Sequence, residues 1–279
     1  MNNKIKNFLA IVFYYTGISY LFFRINVYFS KILVVNYHCT PLKFNSNLEY
    51  QIKFFKKFYT NMSYNKLLDI NKLNHKTKKP FLIITFDDGL RSNYDNALPI
   101  LKKYGFSGWF FICPKFINNS SLTSLNEHSI YPKQIYGDNR YCMNKSELLN
   151  LLNSNYIGSH TFSHYRIKPQ DSVHKINNEI VDSKVLLEKE LNFKINSFAW
   201  VGGEEYHYTK KANKIISKNY SMVFTTLVKS IYSKVNYKNI PRTNIENTFS
   251  KEMFLFQISG ILDLVYIFKR KRVSRILNK

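Results

Sequence analysis

Two adjacent carboxylates, Asp87 and Asp88, close the apolar run Phe81-Leu-Ile-Ile-Thr-Phe86 and stand just before Gly89. An uninterrupted apolar run of this length reads as a strand of a parallel sheet buried on both faces. Successive side chains on a strand point to opposite sides, so the two carboxylates face different ways and can hold different tasks. One can bind a cation while the other stays free as a base, and like charges this close need a cation or a proton to coexist. Asp-Asp-Gly alone is also an ordinary turn. His160 and His164, in Ser159-His-Thr-Phe-Ser-His164, add two imidazoles at a spacing of four, which lets both face one ion from a helical turn or a tight loop. Two neutral ring nitrogens and one carboxylate form a zinc-type donor set. That set leaves a position for water, as a catalytic rather than a structural site requires.

The other titratable residues offer less. Glu204 and Glu205 are neighbours on one loop and cannot flank a glycosidic bond from opposite sides, which excludes a glycosidase pair. His75, His128, His174 and His207 have no partner at a useful spacing and are expected at the surface. Cys39, Cys113 and Cys142 show no C-x-x-C spacing, so neither a disulfide framework nor a cysteine zinc site is expected. No glycine-rich phosphate cradle is present, which argues against nucleotide chemistry.

The elements that must carry these residues alternate. Lys31 to Tyr37 reads as a strand that delivers His38 at its end, just before Pro41. A helix follows, with Ser46 and Glu49 spaced as a capping box and Leu48, Ile52, Phe55 and Tyr59 on one face. The strand ending in Asp87 leads to a helix over Asn93 to Tyr104, closed by Gly105, and to a strand over Ser107 to Ile112. Residues 115–143 carry no period and read as a long excursion beside a cleft. A short helix at Asn144 to Asn153 precedes Tyr156-Ile-Gly158 and the double-histidine block. A longer helix then uses Val173, Ile176, Ile180, Leu187 and Leu191 as its face, before strands at Ile195 to Val201, Met222 to Thr226 and Lys238 to Arg242, with a helix over Thr209 to Lys218. Strand and helix alternate about six times, which predicts a parallel α/β sheet or barrel with its chemistry at the carboxyl ends of the strands.

A chain of 279 residues with 45% hydrophobic content can bury one full core. A net charge of +23 favours anionic partners, but Lys is spread along the whole chain, so a solvated basic surface accounts for most of it. The ends differ. Phe8 to Phe23 is an uncharged run of 16 residues, shorter than the ~20 a spanning helix needs and without a small-x-small cleavage site. It is expected to lie in a membrane interface or to form an uncleaved anchor, with a buried amphipathic helix as the alternative. Met253 to Phe268 is apolar on nearly every face, and the last eleven residues carry six cations and no acid, which suits either an anionic membrane surface or a packing helix with a frayed tail. Lys4 and Lys6 on one flank and Arg24 and Lys31 on the other give no asymmetry from which to assign a side of the membrane. The division expected is a membrane-associated segment 1–30, a catalytic domain 31–248, and an apolar helix with basic tail 249–279.

Thr85-Phe-Asp-Asp-Gly89, followed about seventy residues later by Ser159 to His164, resembles the first two motifs of the NodB-homology polysaccharide deacetylases, carbohydrate esterase family 4. The likeness runs over about residues 33–245, through Asn36-Tyr-His38, Ser197-Phe-Ala-Trp-Val-Gly-Gly203 and Ile240-Pro-Arg242, and is closest to the branch found with exopolysaccharide and poly-N-acetylglucosamine synthesis. It implies a distorted (β/α) barrel with fewer than eight strands and hydrolytic removal of acetyl groups from an N-acetylated glycan. It also implies a divalent metal, zinc first, on Asp88, His160 and His164, with Asp87 as general base. The late Leu-x-His motif that holds the acid in most members is missing, since the last histidine is His207, and the permuted order of the exopolysaccharide branch makes His38 the candidate. The third motif departs from the family pattern. The family's tyrosine beside the oxyanion hole aligns with Gly202, and the arginine that steadies the catalytic aspartate aligns with Ala199. Arg242 or Arg91 can replace that arginine, a backbone N–H near Gly202 can serve the oxyanion, and Trp200 reads as core or as a sugar-stacking platform. A binding-only descendant that keeps the metal and the glycan cleft is the runner-up. A basic nucleic-acid-binding protein is set aside because it leaves the Asp/His/His spacing unexplained.

Overall fold

The computed structural model describes residues 3–72, 77–117 and 140–277. The chain opens with helices α1 (Asn3–Tyr15) and α2 (Ile18–Phe29), then strand β1 (Ile32–Tyr37), α3 (Asn45–Phe58), β2 (Thr60–Asn61), α4 (Tyr64–Asp69) and β3 (Phe81–Phe86). A π-helical turn at Asn93–Ala97 runs into α5 (Leu98–Tyr104), followed by β4 (Gly108–Ile112), α6 (Lys145–Leu151), β5 (Tyr156–Ser159), α7 (Val173–Asn177) and α8 (Ser183–Leu191). The chain continues through β6 (Ser197–Ala199), α9 (Lys210–Asn219), β7 (Met222–Thr225), β8 (Ile240–Pro241), β9 (Thr243–Asn244), α10 (Lys251–Ile258), α11 (Ile261–Val265) and α12 (Ile267–Leu277).

All strand pairings are parallel, in the order β8-β7-β6-β5-β4-β3-β1-β9, with β2 beside the start of β3. The two edges of this sheet are consecutive pieces of chain. Residues 240–241 pair with β7, residues 243–244 pair with β1, and Arg242 lies between them, so one extended segment spans the seam and nearly closes the barrel. The count of fewer than eight strands is therefore corrected to nine: β8 falls in the expected piece Lys238 to Arg242, while β2 and β9 are two-residue extensions too short to leave an apolar pattern. β1, β3 and β4 are buried along their whole length, as continuous apolar runs require.

Several local expectations change. The helix after β1 is not capped by Ser46 and Glu49. A 3-10 turn, Leu42–Phe44, feeds straight into Asn45, and Glu49 instead accepts from Lys103 Nζ at 2.5 Å and Tyr104 Oη at 2.9 Å. A capping box does form at Asn144 and Glu147. Ile176, Ile180, Leu187 and Leu191 are buried, but Val173, in the first turn beside the N-cap Ser172, is exposed. The apolar run 8–23 breaks at Gly17, which takes φ 77°, and α1 and α2 meet at 86°. Among the described residues no single helix is long and apolar enough to cross a membrane.

The N-terminal segment also packs on the barrel. Phe23 is fully buried among the rings of Phe54, Phe58 and Tyr59, and Asn26 Nδ2 donates to the Ile258 carbonyl at 3.1 Å. The basic tail is an ordered helix whose Val273 and Leu277 are buried, with Arg272 paired to Glu205 at 2.5 Å.

Candidate active site

Because every strand runs the same way, their carboxyl ends bring His38 (after β1), Asp87 and Asp88 (after β3), His160 (after β5), Trp200 and Gly202 (after β6) and Glu246 (after β9) to one end of the barrel. Asp87 still belongs to the ladder, donating its N–H to the Tyr37 carbonyl at 3.1 Å. Asp88 then turns into the left-handed region at φ 74°, which swings its carboxylate away from that of Asp87. Thr161 and His164 take φ 60° and 58°, so the double-histidine block is a tight loop rather than a helical turn. Asp and His tolerate this conformation better than most residues, and such positions cluster where function holds them. Glu179 pins the loop, accepting from Ser163 N at 3.0 Å and Ser163 Oγ at 2.8 Å.

Asp88, His160 and His164 each offer a donor atom, all within 4.8 Å of one another. His164 Nε2 stands 3.1 Å and His160 Nε2 3.6 Å from Asp88 Oδ1. His160 Nδ1 is 2.9 Å from the Ala199 carbonyl, which fixes the proton on Nδ1 and leaves the Nε2 lone pair facing the cluster. Burial holds the His160 pKa down to about 4 against the pull of Asp87 and Asp88, so the ring is neutral as a ligand must be. The Asp88 carboxyl lies well below its ordinary range: burial opposes ionisation, but His164 and His160 outweigh it. Two imidazole nitrogens and a carboxylate oxygen in one buried corner fit a divalent cation of the zinc class.

Asp87 is held differently. Arg242 donates Nη1 to Oδ1 at 2.7 Å and Nη2 to Oδ2 at 3.0 Å, and Asn36 Nδ2 donates to Oδ2 at 3.0 Å. Burial raises the Asp87 pKa, but Arg242 and His160 outweigh it and keep the carboxylate ionised below its usual range. Arg242 is itself fully buried, with Nη1 also reaching Asn36 Oδ1 at 3.0 Å, and its guanidinium lies over Phe111. It therefore takes the position of Asp87's partner and not a substrate-facing one. Arg91 pairs with Asp95 at 3.0 Å instead.

At the end of the neighbouring strand β1, His38 Nδ1 stands 2.9 Å from Glu246 Oε1, each side chain 29% exposed. Partial burial disfavours the imidazolium, but the hydrogen bond and charge of Glu246, with Asp87 and Asp88, push the pKa up to about 9. The pocket between these groups measures ≈ 400 Å³ and is lined by His38, Asp87, His160, His164, Trp200 and Gly202 among others. Trp200 is buried, packs on Tyr208 and lines the pocket. Gly202 takes φ 83°, and a Cβ there would lie 2.9 Å from His207 Cδ2.

Glu246, Asn36 and Thr85 were not singled out from the sequence. Asn36 and Thr85 had a signal in the motifs Asn36-Tyr-His38 and Thr85 to Gly89 that contain them; Glu246 had none. His207, expected at the surface, is buried, with Nδ1 2.9 Å from the Ile167 carbonyl. His174 is exposed, while His75, His128 and most of the 115–143 excursion lie outside the described residues. The three cysteines are free.

Residues 74–221 match the sequence profile of the polysaccharide deacetylases. The chain belongs to that family. A curated polysaccharide deacetylase relative, the putative enzyme YxkH of Bacillus subtilis (strain 168), is 27% identical over 154 residues, covering 54% of this chain and 46% of the relative; the chain thus matches about half of that protein's length. Among solved structures, Streptococcus pyogenes deacetylase PplD, in complex with acetate, superposes with TM-score 0.63 at 21% identity, covering 82% of this chain and 98% of that one. IcaB from Ammonifex degensii does so with TM-score 0.60 at 16% identity, over 83% and 97%. These likenesses show the same fold over about four fifths of the chain.

Proposed function

We propose that this chain is a metal-dependent hydrolase that removes acetyl groups from N-acetylated sugars of a polysaccharide. The observation that carries the reading is that one pocket is lined by an ionised carboxylate, Asp87 on Arg242, and a charged imidazole, His38 on Glu246, together with the Asp88, His160 and His164 donor cluster. A divalent cation on those donors, zinc by their chemistry, supplies Lewis acidity toward the acetyl carbonyl and lowers the pKa of a water beside it. Asp87 takes the proton of the attacking water as its oxygen bonds to the carbonyl carbon. His38, protonated at neutral pH, gives its proton to the amide nitrogen as the carbon–nitrogen bond breaks, and acetate and the free amino sugar leave. Arg242 keeps Asp87 in one orientation, and a backbone N–H near Gly202 serves the developing oxyanion.

Membrane attachment through the N-terminal helices and the basic C-terminal helix is part of the same proposal. It is supported by ten large apolar side chains left exposed on α1 and α2.

The test is acetate release from a short N-acetylglucosamine oligomer by protein loaded with zinc or cobalt, beside Asp87→Asn and His160→Ala, with metal content measured for each. Release lost in both variants, with metal kept in Asp87→Asn, supports the roles. Wild type that holds metal and releases nothing from acetylated glycans moves the binding-only reading ahead, with the altered third motif as the reason.

A further inference from the structure

At the amino-terminal end of the strands, Arg24, Lys31, Lys57, Lys78, Lys79 and Lys234 line a cavity of ≈ 790 Å³ that, among the described residues, has no carboxylate in its wall. Lys31 leads into β1 and Pro80 into β3, whereas Asp87 follows the last residue of β3. Six strand residues at roughly 3.3 Å each put this cavity about 20 Å from the catalytic carboxylates, at the opposite end of the barrel. A neighbouring cavity of ≈ 820 Å³ shares Lys234 and adds Lys229, Arg270, Lys271 and Arg275, again with no acid in its wall. At the chain's ratio of 41 basic to 18 acidic residues, ten cations would bring about four acids with them. In the first cavity Lys31 Nζ donates to the Ile70 carbonyl at 2.8 Å and Lys79 Nζ to the Lys56 carbonyl at 3.3 Å, both uncharged, whereas Arg270 and Lys229 of the second feel the buried Asp263 carboxylate. The charge of the first cavity is left for an anion.

The rim of the first cavity is apolar. Tyr28 and Phe29 are 62% and 63% exposed, and Leu21 and Ile25 continue the same side of α2 at helical spacing. Of the 22 large apolar side chains exposed among the described residues, ten lie on α1 and α2, so the exposure is a patch and not scatter. Nucleic acid would use the cations but gains nothing from aliphatic Leu21 and Ile25. Phosphate headgroups above an acyl layer use both.

We propose that this cavity seats the phosphate headgroups of an anionic bilayer while Leu21, Ile25, Tyr28 and Phe29 enter the interface. The catalytic pocket then opens away from the membrane. The inference rests on the membrane attachment proposed above and not on the hydrolytic chemistry, since the two pockets share no residue.

The test is sedimentation of the full chain with phosphatidylcholine vesicles, with and without phosphatidylglycerol, comparing wild type, Phe29→Ser and the double variant Lys78→Gln/Lys79→Gln. Acetate release from a soluble oligomer and a circular-dichroism melt check that each variant is folded. Wild type is expected to bind the anionic vesicles alone and to bind more weakly at high salt. The double variant should lose on the order of 25-fold in affinity, and Phe29→Ser should weaken binding without changing its salt dependence. Binding to neither vesicle type overturns the attachment itself. Anionic binding unchanged in all variants overturns the assignment to this face while leaving attachment standing. Displacement by inorganic phosphate at matched ionic strength makes it a soluble-phosphate site, and binding to single-stranded DNA without vesicle binding makes it a nucleic-acid surface; either result overturns the proposal. Lost oligomer hydrolysis with vesicle binding intact counts against the catalytic reading alone.

Discussion

Replacing Glu246 by Gln keeps the shape of the His38 contact and removes its charge. In the native protein the imidazole has a pKa of about 9, raised against the effect of partial burial chiefly by Glu246, which stands 2.9 Å from Nδ1. At pH 7.5 such a group is about 97% protonated, whereas one at the ordinary 6.5 is about 9% protonated. With that carboxylate gone, burial lowers the pKa while only Asp87 and Asp88 still raise it, so it falls toward the ordinary value and the supply of acid at pH 7.5 drops by up to roughly tenfold. The loss is confined to the basic side: below about pH 6 both proteins are protonated and their rates converge. The assay is kcat/KM for acetate release between pH 5 and 10, with metal content matched. A cation at the Asp88 cluster lowers both basic limbs alike, so the measured quantity is the difference between them. A basic limb at the same pH in wild type and Glu246→Gln, or a uniform loss at every pH, would refute His38 as the acid charged by Glu246. The stability linkage has a fixed sign. Because the folded pKa is raised, the pair's contribution is complete below about 6.5 and is lost as pH rises through about 9, and urea midpoints of wild type and variant should converge above that.

Removing Arg242 leaves Asp87 ionised in a dry site, so Arg242→Met should cost on the order of 3–5 kcal/mol in urea unfolding. Asp87→Asn, which also ends the ion pair but leaves no naked carboxylate, should cost less stability while lowering turnover by about 10²-fold or more with metal retained. Asp88→Asn and His164→Ala should each lose metal by elemental analysis, and chelation of wild type should abolish acetate release until zinc or cobalt is returned. Gly202→Ala must place a Cβ 2.9 Å from His207 on a backbone with φ +83°, and is expected to destabilise by about 1–3 kcal/mol in thermal melts. A melting temperature unchanged from wild type would show that this loop relaxes freely.

Much of the site was legible in the chain because its parts are local. Asp87 and Asp88 share one strand end, and His160 and His164 share one loop, so residue type and a spacing of four already suggest one ion for a carboxylate and two imidazoles, while the left-handed turn at Asp88 that parts it from Asp87 shows only in the structure. The buried runs of β1, β3 and β4 announced a parallel sheet, and with it the end of the barrel where chemistry gathers. Of the two-residue strands, β8 falls in the piece expected over Lys238 to Arg242, but β2 and β9 were not legible, since two residues have no period. Nor was the kink at Gly17, where one apolar run becomes two helices because one face must bury Phe23 on the barrel. Of the partners that set the working charges, the sequence offered Arg242 only as one of two arginines and Glu246 not at all. Arg242 meets Asp87 across 155 residues, and Glu246 meets His38 across 208. Both contacts exist only because the segment 240–244 crosses the seam and brings the last strand against the first. The sequence by itself determined which residues can bind a metal and move protons. The closure of the barrel decided which of them are held charged, because only a buried, opposite charge at hydrogen-bond distance fixes a protonation state.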